Sequence, residues 1–194
     1  MSLQQRRERE RAQRHQLIVT AAREMAEAEG WGAVTTRRLA ERIEYSQPVL
    51  YSHFAGKNAI VAAVALEGFT ELAAAMREGR AAAADPEQAL AAATRAYTEF
   101  ADGNPALYDA MFVLATDLPF GSPDTPAPLQ AAFDELSSAL APLTGGRDLE
   151  TFTEVVWGAV HGLVTLAREG RLRPGLQEQR LTMLLDQLCA AYPR

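Results

Sequence analysis

Apolar side chains recur every three or four residues along most of the chain, and this spacing is typical of helices with one buried face. The first regular run covers residues 17–28 and stops before Gly30, a common helix terminator. Two short helices are predicted next, over residues 37–43 and 48–53, and Pro48 suits the first turn of the second one. The pattern therefore predicts one long helix followed by two short ones.

Proline and glycine divide the rest of the chain into longer helices. The predicted helices cover residues 58–83, 86–102, 105–116, 127–141, 149–169 and 176–192. Residues 117–128 hold four of the ten prolines and should form a loop. Alanine and leucine greatly outnumber valine and isoleucine, which favours helices over strands. The sequence therefore predicts an all-α fold.

The net charge of −6 is unevenly distributed along the chain. Residues 1–57 carry ten basic and seven acidic side chains, whereas residues 58–194 carry nine basic and eighteen acidic ones. This division predicts a basic domain over residues 1–57 and an acidic domain over residues 58–194. Residues 1–12 are expected to form a flexible basic arm, which is flexible at its start and joins a helix at about Gln5. The acidic total excludes a protein that coats nucleic acid over its whole surface.

Several classes of protein are not expected from this sequence. The single cysteine excludes an intramolecular disulfide framework and a cysteine-based zinc site. No uncharged apolar run of about 18 residues and no signal-peptide pattern occurs, so we expect a cytoplasmic protein. The chain also lacks glycine-rich phosphate loops and the HExxH motif, and its three histidines lie in separate predicted elements. We therefore expect no enzyme, no cofactor and no metal site.

Residues 34–57, VTTRRLAERIEYSQPVLYSHFAGK, form the most informative segment. Leu50 and Phe54 are four residues apart, so they should pack the second short helix inward. The outer surface of that helix would then present Gln47 and Tyr51. Glutamine can make two hydrogen bonds to a base edge, and the nearby tyrosine, serine and lysine side chains could bind phosphates. This outer surface suits a DNA groove.

The segment resembles the helix-turn-helix of the tetracycline-repressor (TetR) family of bacterial transcriptional regulators. The resemblance lies in TTRRLA, in QPVLYSHF and in the pair Gly56-Lys57. It implies DNA contacts by Thr36, Arg37, Gln47, Pro48, Val49, Tyr51, Ser52, His53 and Lys57. The alternative is a small three-helix bundle in which Tyr51 and His53 only cover the core.

This chain departs from the family pattern in the turn between its two short helices. The family usually has glycine where this chain has Glu44. A left-handed residue other than glycine costs roughly 1 kcal/mol. Either the turn has another geometry or some backbone strain is tolerated, and a negative charge lies close to the expected DNA face.

Aromatic and methionine side chains of the acidic domain are candidates for a ligand pocket, because such pockets are mostly apolar with a few polar groups. The candidates are Phe69, Tyr97, Phe100, Tyr108, Met111, Phe112, Trp157 and His161. The pattern of Trp157 followed by His161-Gly162 is also similar to a C-terminal regulatory domain found in one branch of the family. Each of these side chains could instead be an ordinary core residue.

The helix over residues 149–169 is apolar on nearly all sides and should need packing partners on two of them. Its two glycines would let another helix approach closely, and the last helix carries a broad apolar stripe. The resemblance implies that these helices pair with their copies in a homodimer. The interface candidates are Gly158, Gly162, Leu181, Leu184, Leu185 and Leu188. The alternative is that both helices close the core of a monomer.

The sequence thus predicts an N-terminal three-helix helix-turn-helix domain followed by a larger helical domain for ligand binding and dimerisation. The expected function is that of a dimeric, ligand-responsive regulator, a repressor rather than an activator, on a palindromic DNA operator. A small, mostly apolar effector would release it, and the family suggests that the helix beginning at Lys57 moves. The competing hypothesis is a helical small-molecule-binding protein or enzyme that does not act on DNA.

Overall fold

The computed structural model describes residues 2–190, leaving out the side chains of residues 189 and 190. These residues form helices and loops without any strand. The helices are α1 (Leu3–Glu29), α2 (Thr36–Arg42), α3 (Gln47–His53), α4 (Lys57–Ala81), α5 (Pro86–Gly103), α6 (Pro105–Phe112), α7 (Ala127–Leu140), α8 (Leu149–Arg168) and α9 (Gln177–Ala190), with one 3-10 turn at Ala141–Leu143. The all-α prediction is confirmed, while the predicted extension of the last helix to residue 192 lies outside the described residues.

The chain forms two compact units. The first contains the residues up to Gly68 together with Asn104–Asp124, and the second contains Phe69–Gly103 together with the described residues from Thr125 onward. Helix α4 is divided between the units, and α6 belongs to the first one. The predicted boundary at residue 57 concerns functional domains and stays a prediction.

The expectation of a flexible arm over residues 1–12 is wrong for most of that segment, because α1 is regular from Leu3 onward. Ser2 caps it, since its Oγ accepts from the amide of Gln5 at 3.2 Å and Gln5 Oε1 accepts from the amide of Ser2 at 2.8 Å. An ion pair between Arg6 and Glu10 at 3.2 Å adds support one turn further on. The hydrophobic pattern missed this part of the helix because polar contacts stabilise it.

The first unit is held together by contacts between the end of α1 and the start of α6. The carboxylate of Glu27 accepts hydrogen bonds from the amides of Ala106 and Leu107 at 3.1 and 2.9 Å. The indole of Trp31 donates a hydrogen bond to the carbonyl of Ala106 at 2.7 Å. The carboxylate thus satisfies two amide donors in the first turn of α6, where Asn104 makes no side-chain cap. Helix α6 is therefore part of the unit that contains α1 to α3.

Helix α4 has a glycine where α6 packs against it within the first unit. A methyl group added at Gly68 would lie 2.6 Å from Sδ of Met111 and 2.9 Å from Cδ1 of Leu107. The absence of a side chain therefore allows the two helices to approach closely. By length and composition α4 could also cross a membrane, with a mean hydropathy of 1.6, but half of that stretch is buried inside the structure, as in many core helices.

The second unit packs α5, α7, α8 and α9 around a core of alanine, aliphatic and aromatic side chains. Its buried charged residue is Glu135 on α7, which accepts from Nε of Arg77 at 2.6 Å and from Arg80 at 2.8 Å. Burial of the carboxyl opposes its ionisation, but the two guanidinium groups outweigh that effect and hold the pKa of Glu135 below its usual value. This ion pair joins the second half of α4 to α7.

Candidate nucleic-acid interface

Helices α2 and α3 are joined by a turn that places Glu44 in the left-handed region, at φ +57°. The amide of Tyr45 donates to the carbonyl of Ala40 at 3.0 Å, and the amide of Glu44 donates to that of Glu41 at 3.4 Å. These two bonds form a Schellman motif, which usually has glycine at this position. The turn therefore has the geometry that normally requires glycine, and Glu44 carries the backbone strain that is one of the two alternatives from the sequence.

Replacing Glu44 with glycine should stabilise the protein by up to about 1 kcal/mol, since glycine adopts this conformation without a steric cost. Replacing it with alanine removes the same negative charge but keeps the strain. We expect urea denaturation to show the gain in unfolding free energy for Glu44→Gly alone. Equal stability of the two variants would contradict a strained turn.

Helix α3 buries one face and exposes the other, as the spacing of its residues predicts. Leu50 and Phe54 are buried, while Gln47, Pro48 and Ser52 are exposed. Tyr51 is 54% exposed, so it does not merely cover the core. The predicted inner and outer faces of this helix are confirmed.

The hydrogen bonds of this surface fix several of its side chains. The hydroxyl of Tyr51 lies 3.5 Å from Oγ1 of Thr36, which links α3 to the first residue of α2. Ser52 donates its hydroxyl proton to the carbonyl of Val49 at 2.6 Å, which leaves its oxygen as an acceptor. Arg37 forms an exposed ion pair with Glu41 at 2.9 Å. A phosphate would thus compete with existing partners for Ser52 and Arg37.

Lys57 begins α4 and is half-buried, and its ammonium group donates to the carbonyl of Trp31. An ammonium group has three donors, so this bond fixes its position while leaving capacity for a second acceptor. Sequence reasoning could not find the Trp31 contact, because the two residues are 26 positions apart. Lys57 is therefore held at the helix start beside α3.

A groove between α1 and the end of α3 was not predicted. It has a volume of about 430 Å³ and is lined by Glu8, Arg11, Ala12, His15, Gln16 and His53. The ring of His15 lies 4.5 Å from that of Phe54. His53 is half-buried, and burial followed by the nearby charges of Arg11, His15 and Arg14 lowers the pKa of His53. Four titratable residues from α1 and α3, namely Glu8, Arg11, His15 and His53, thus share one surface.

The residues predicted to line a ligand pocket fall into two groups. Tyr108, Met111 and Phe112 belong to the first unit, where the rings of Tyr108 and Phe112 lie 4.8 Å apart. The members in the second unit are Phe69, Tyr97, Phe100, Trp157 and His161. Among these, the hydroxyl of Tyr97 accepts from the Trp157 indole at 3.3 Å and lies 3.1 Å from Nδ1 of His161. These three residues form one polar cluster.

The residues predicted for a dimer interface are only partly exposed. Leu181 and Leu185 are buried within the second unit, as the monomer-core alternative expected, whereas Leu184 and Leu188 are half-buried. A methyl group added at Gly158 or Gly162 would meet no atom within 4 Å. Three exposed apolar side chains of the second unit lie outside the predicted interface set, namely Val155, Leu166 and Met183. Within the second unit, α8 carries two of these three exposed side chains and α9 carries the third.

Comparison with known proteins supports the class that this fold and surface suggest. Residues 18–64 match the model of bacterial regulatory proteins of the tetR family, and residues 90–192 match that of the tetracyclin repressor-like C-terminal domain. The chain therefore belongs to the TetR family, which places it among helix-turn-helix transcriptional regulators and not among enzymes.

One curated relative and two solved structures illustrate the similarity. The HTH-type transcriptional regulator YobS of Bacillus subtilis is 33% identical over 101 residues, about half the length of each protein. The regulator PfmR of Thermus thermophilus superposes with a TM-score of 0.62 at 19% identity, covering 91% of this chain and 99% of that one. FadR of Bacillus subtilis, solved in complex with stearoyl-CoA, gives a TM-score of 0.67 at 15% identity over 92% and 100% of the two chains. At these identities the two structures show the shared fold.

Proposed function

We propose that this protein is a ligand-responsive regulator that binds a palindromic DNA operator as a homodimer through α2 and α3. The observation that supports this proposal most directly is the exposed polar face of α3. Leu50 and Phe54 pack the opposite face into the core. In this proposal Gln47, Pro48 and Val49 contact bases, while Tyr51 and Lys57 contact phosphates. Thr36, Arg37, Ser52 and His53 complete the DNA face from the two helices. The site of action is the cytoplasm, and the sign of regulation is repression.

Replacing Gln47 with alanine should weaken operator binding at least about tenfold, because the dimer loses two bidentate contacts with bases and each contributes about 1–3 kcal/mol of discrimination. Specificity at one base pair of each half-site should relax as well. The operator is first selected in vitro from random duplexes, and affinity is then measured by fluorescence anisotropy. Gln179→Ala, which removes an exposed glutamine of α9, is the matched control.

The control variant should bind like the unchanged protein. If selection with the unchanged protein enriches no sequence, DNA recognition itself is refuted and the small-molecule-binding alternative is favoured. If an operator is found but Gln47→Ala binds it with unchanged affinity and specificity, the assignment of this side chain is wrong.

The homodimer is supported by an open stripe on α8. Val155, Gly158, Gly162 and Leu166 follow one another at intervals of three or four residues and so share one face. Val155 is 60% exposed, and Met183 of α9 is 65% exposed. Exposed apolar surface of this kind, with glycines that let a second helix approach, suits a pairing of two copies.

The substitution Val155→Glu should convert the dimer into a monomer, because a desolvated charge without a partner is costly in an apolar interface. Val113→Glu is the matched control, since Val113 is 62% exposed in the first unit. Light scattering after size-exclusion chromatography should give a dimer mass for the unchanged protein and for the control. A monomer of the unchanged protein at micromolar concentration would refute the homodimer.

The effector in this proposal is small and mostly apolar. The polar cluster of Tyr97, Trp157 and His161 offers donors and acceptors beside apolar side chains, and burial lowers the pKa of His161, so its ring is neutral near pH 7. FadR, which shares the fold, was solved with stearoyl-CoA, which makes long-chain acyl compounds the first group to test. An effector acts by preferring the dimer whose recognition helices do not fit successive major grooves, about 34 Å apart.

A further inference from the structure

The face of α1 that is buried in the first unit continues toward the N-terminus as a row of basic side chains. Ile18, Ala22 and Met25 are buried on this face. Steps of three or four residues back from Ile18 lead to His15, Arg11 and Arg7. Because α1 is one continuous helix, these three side chains lie on the same side as the buried residues. We call this row, Arg7, Arg11 and His15, the α1 stripe.

The α1 stripe begins at the end of the recognition helix. His15 packs against the ring of Phe54, and Arg11 and His15 line the 430 Å³ groove together with His53 of α3. The side chains of residues 2–17 are exposed apart from Glu10, which is half-exposed. From His15 to Leu3 the helix extends roughly 18 Å, at 1.5 Å a residue. The stripe is thus a direct continuation of the candidate nucleic-acid interface.

The charges of this helix differ between its two sides. Away from the stripe, Arg6 pairs with Glu10 at 3.2 Å. Arg14, which lies beside the stripe, is 3.9 Å from the same carboxylate. Within the part of the chain that the structure describes, Arg7 and Arg11 form no ion pair. Glu8 is the one acidic residue that lines the groove, and it also accepts from Gln4 at 3.1 Å. The two arginines of the α1 stripe therefore outnumber the single carboxylate that lies beside them.

We propose that the α1 stripe binds backbone phosphates of the DNA that flanks the sequence read by α3. This inference rests on the proposed function and assigns to it a contact surface outside the helix-turn-helix. A rigid helix loses less conformational entropy on binding than a disordered basic arm. The stripe spans roughly 12 Å from His15 to Arg7, which corresponds to about three to four base pairs of duplex at 3.4 Å each. The stripe thus lengthens the footprint without reading bases.

The test compares two double variants of the full-length protein on two duplexes. Arg7→Gln with Arg11→Gln removes the cations of the stripe, and Arg6→Gln with Arg9→Gln removes the same charge from the other side of the helix. One duplex carries the selected operator with ten base pairs added at each end, and the other carries the operator alone. Circular dichroism checks that both variants keep the helix content of the unchanged protein.

On the long duplex the stripe variant should bind at least about tenfold more weakly than the unchanged protein. The affinity of the control variant should fall by less than about threefold. The salt slope of the stripe variant should fall by about 0.9 for each phosphate that the protein no longer neutralises. On the operator alone the two variants should bind alike.

Equal losses for both variants on the long duplex would overturn the inference, because they would reflect net charge only. The inference is also overturned if the stripe variant binds both duplexes like the unchanged protein while Gln47→Ala still weakens operator binding. In that case the proposed function stands. If the stripe variant keeps its DNA affinity but loses binding to phosphatidylserine-containing vesicles, the partner is a membrane surface. An unchanged protein that selects no operator refutes both proposals.

Discussion

Replacing Leu107 with alanine lowers the free energy of unfolding by about 3 kcal/mol, the largest effect that we expect of any single substitution. Leu107 is fully buried in α6, and its side chain lies over Gly68 of α4. A glycine opposite the new alanine has no side chain that could fill the space, so a cavity remains. Urea denaturation at one fixed protein concentration measures the change.

Leu3→Ala is the matched control for this prediction, since Leu3 is 72% exposed and the substitution removes the same atoms. It should change the unfolding free energy by less than about 0.5 kcal/mol. A loss below about 1 kcal/mol for Leu107→Ala would mean that α6 does not contribute to the core of the first unit.

Replacing Glu135 with alanine should lower the free energy of unfolding by about 2 kcal/mol at neutral pH. The change leaves Arg77 and Arg80 without their carboxylate, and the cost stays below the range for fully buried pairs because Arg77 is more than half exposed. Glu154→Ala, at an exposed position of α8, should have little effect. The difference between the two variants is read from urea denaturation curves.

The same carboxylate makes a testable contribution to the pH dependence of stability. Its pKa is lower in the folded state than in the unfolded chain, so its stabilising effect is complete above the unfolded-state pKa of about 4.3 and disappears as the pH falls through the folded-state value. The gap in stability between the unchanged protein and Glu135→Ala should therefore narrow below about pH 4. A gap that stays constant down to pH 3 would contradict the ionised pair.

Local patterns in the sequence predicted most of the secondary structure and the faces of α3. Apolar spacing identified α1, the scarcity of helix breakers identified α4, and prolines or caps marked the starts of α5, α6 and α8. The positions of Leu50 and Tyr51 followed from helical geometry alone. These features depend on neighbours within a few residues, which is why one sequence was enough to predict them.

The features that the sequence did not predict depend on distant residues or on polar contacts. The first turns of α1 have no apolar pattern, because a capping box and a surface ion pair stabilise them rather than apolar packing. The place of α6 in the first unit depends on bonds from Glu27 and Trp31 to residues nearly eighty positions away. The groove beside His53 likewise requires the two helices to be brought together by folding. Such contacts carry no signal in local spacing.

The attachment of α6 to the end of α1 also affects how the protein folds during synthesis. The helix-turn-helix leaves the ribosome well before residues 104–124, which complete its unit, and α5 is made in between. Until α6 arrives, the indole of Trp31 and the carboxylate of Glu27 lack the partners they have in the folded unit. The nascent DNA-binding segment is therefore an incomplete folding unit that must wait for a later part of its own chain.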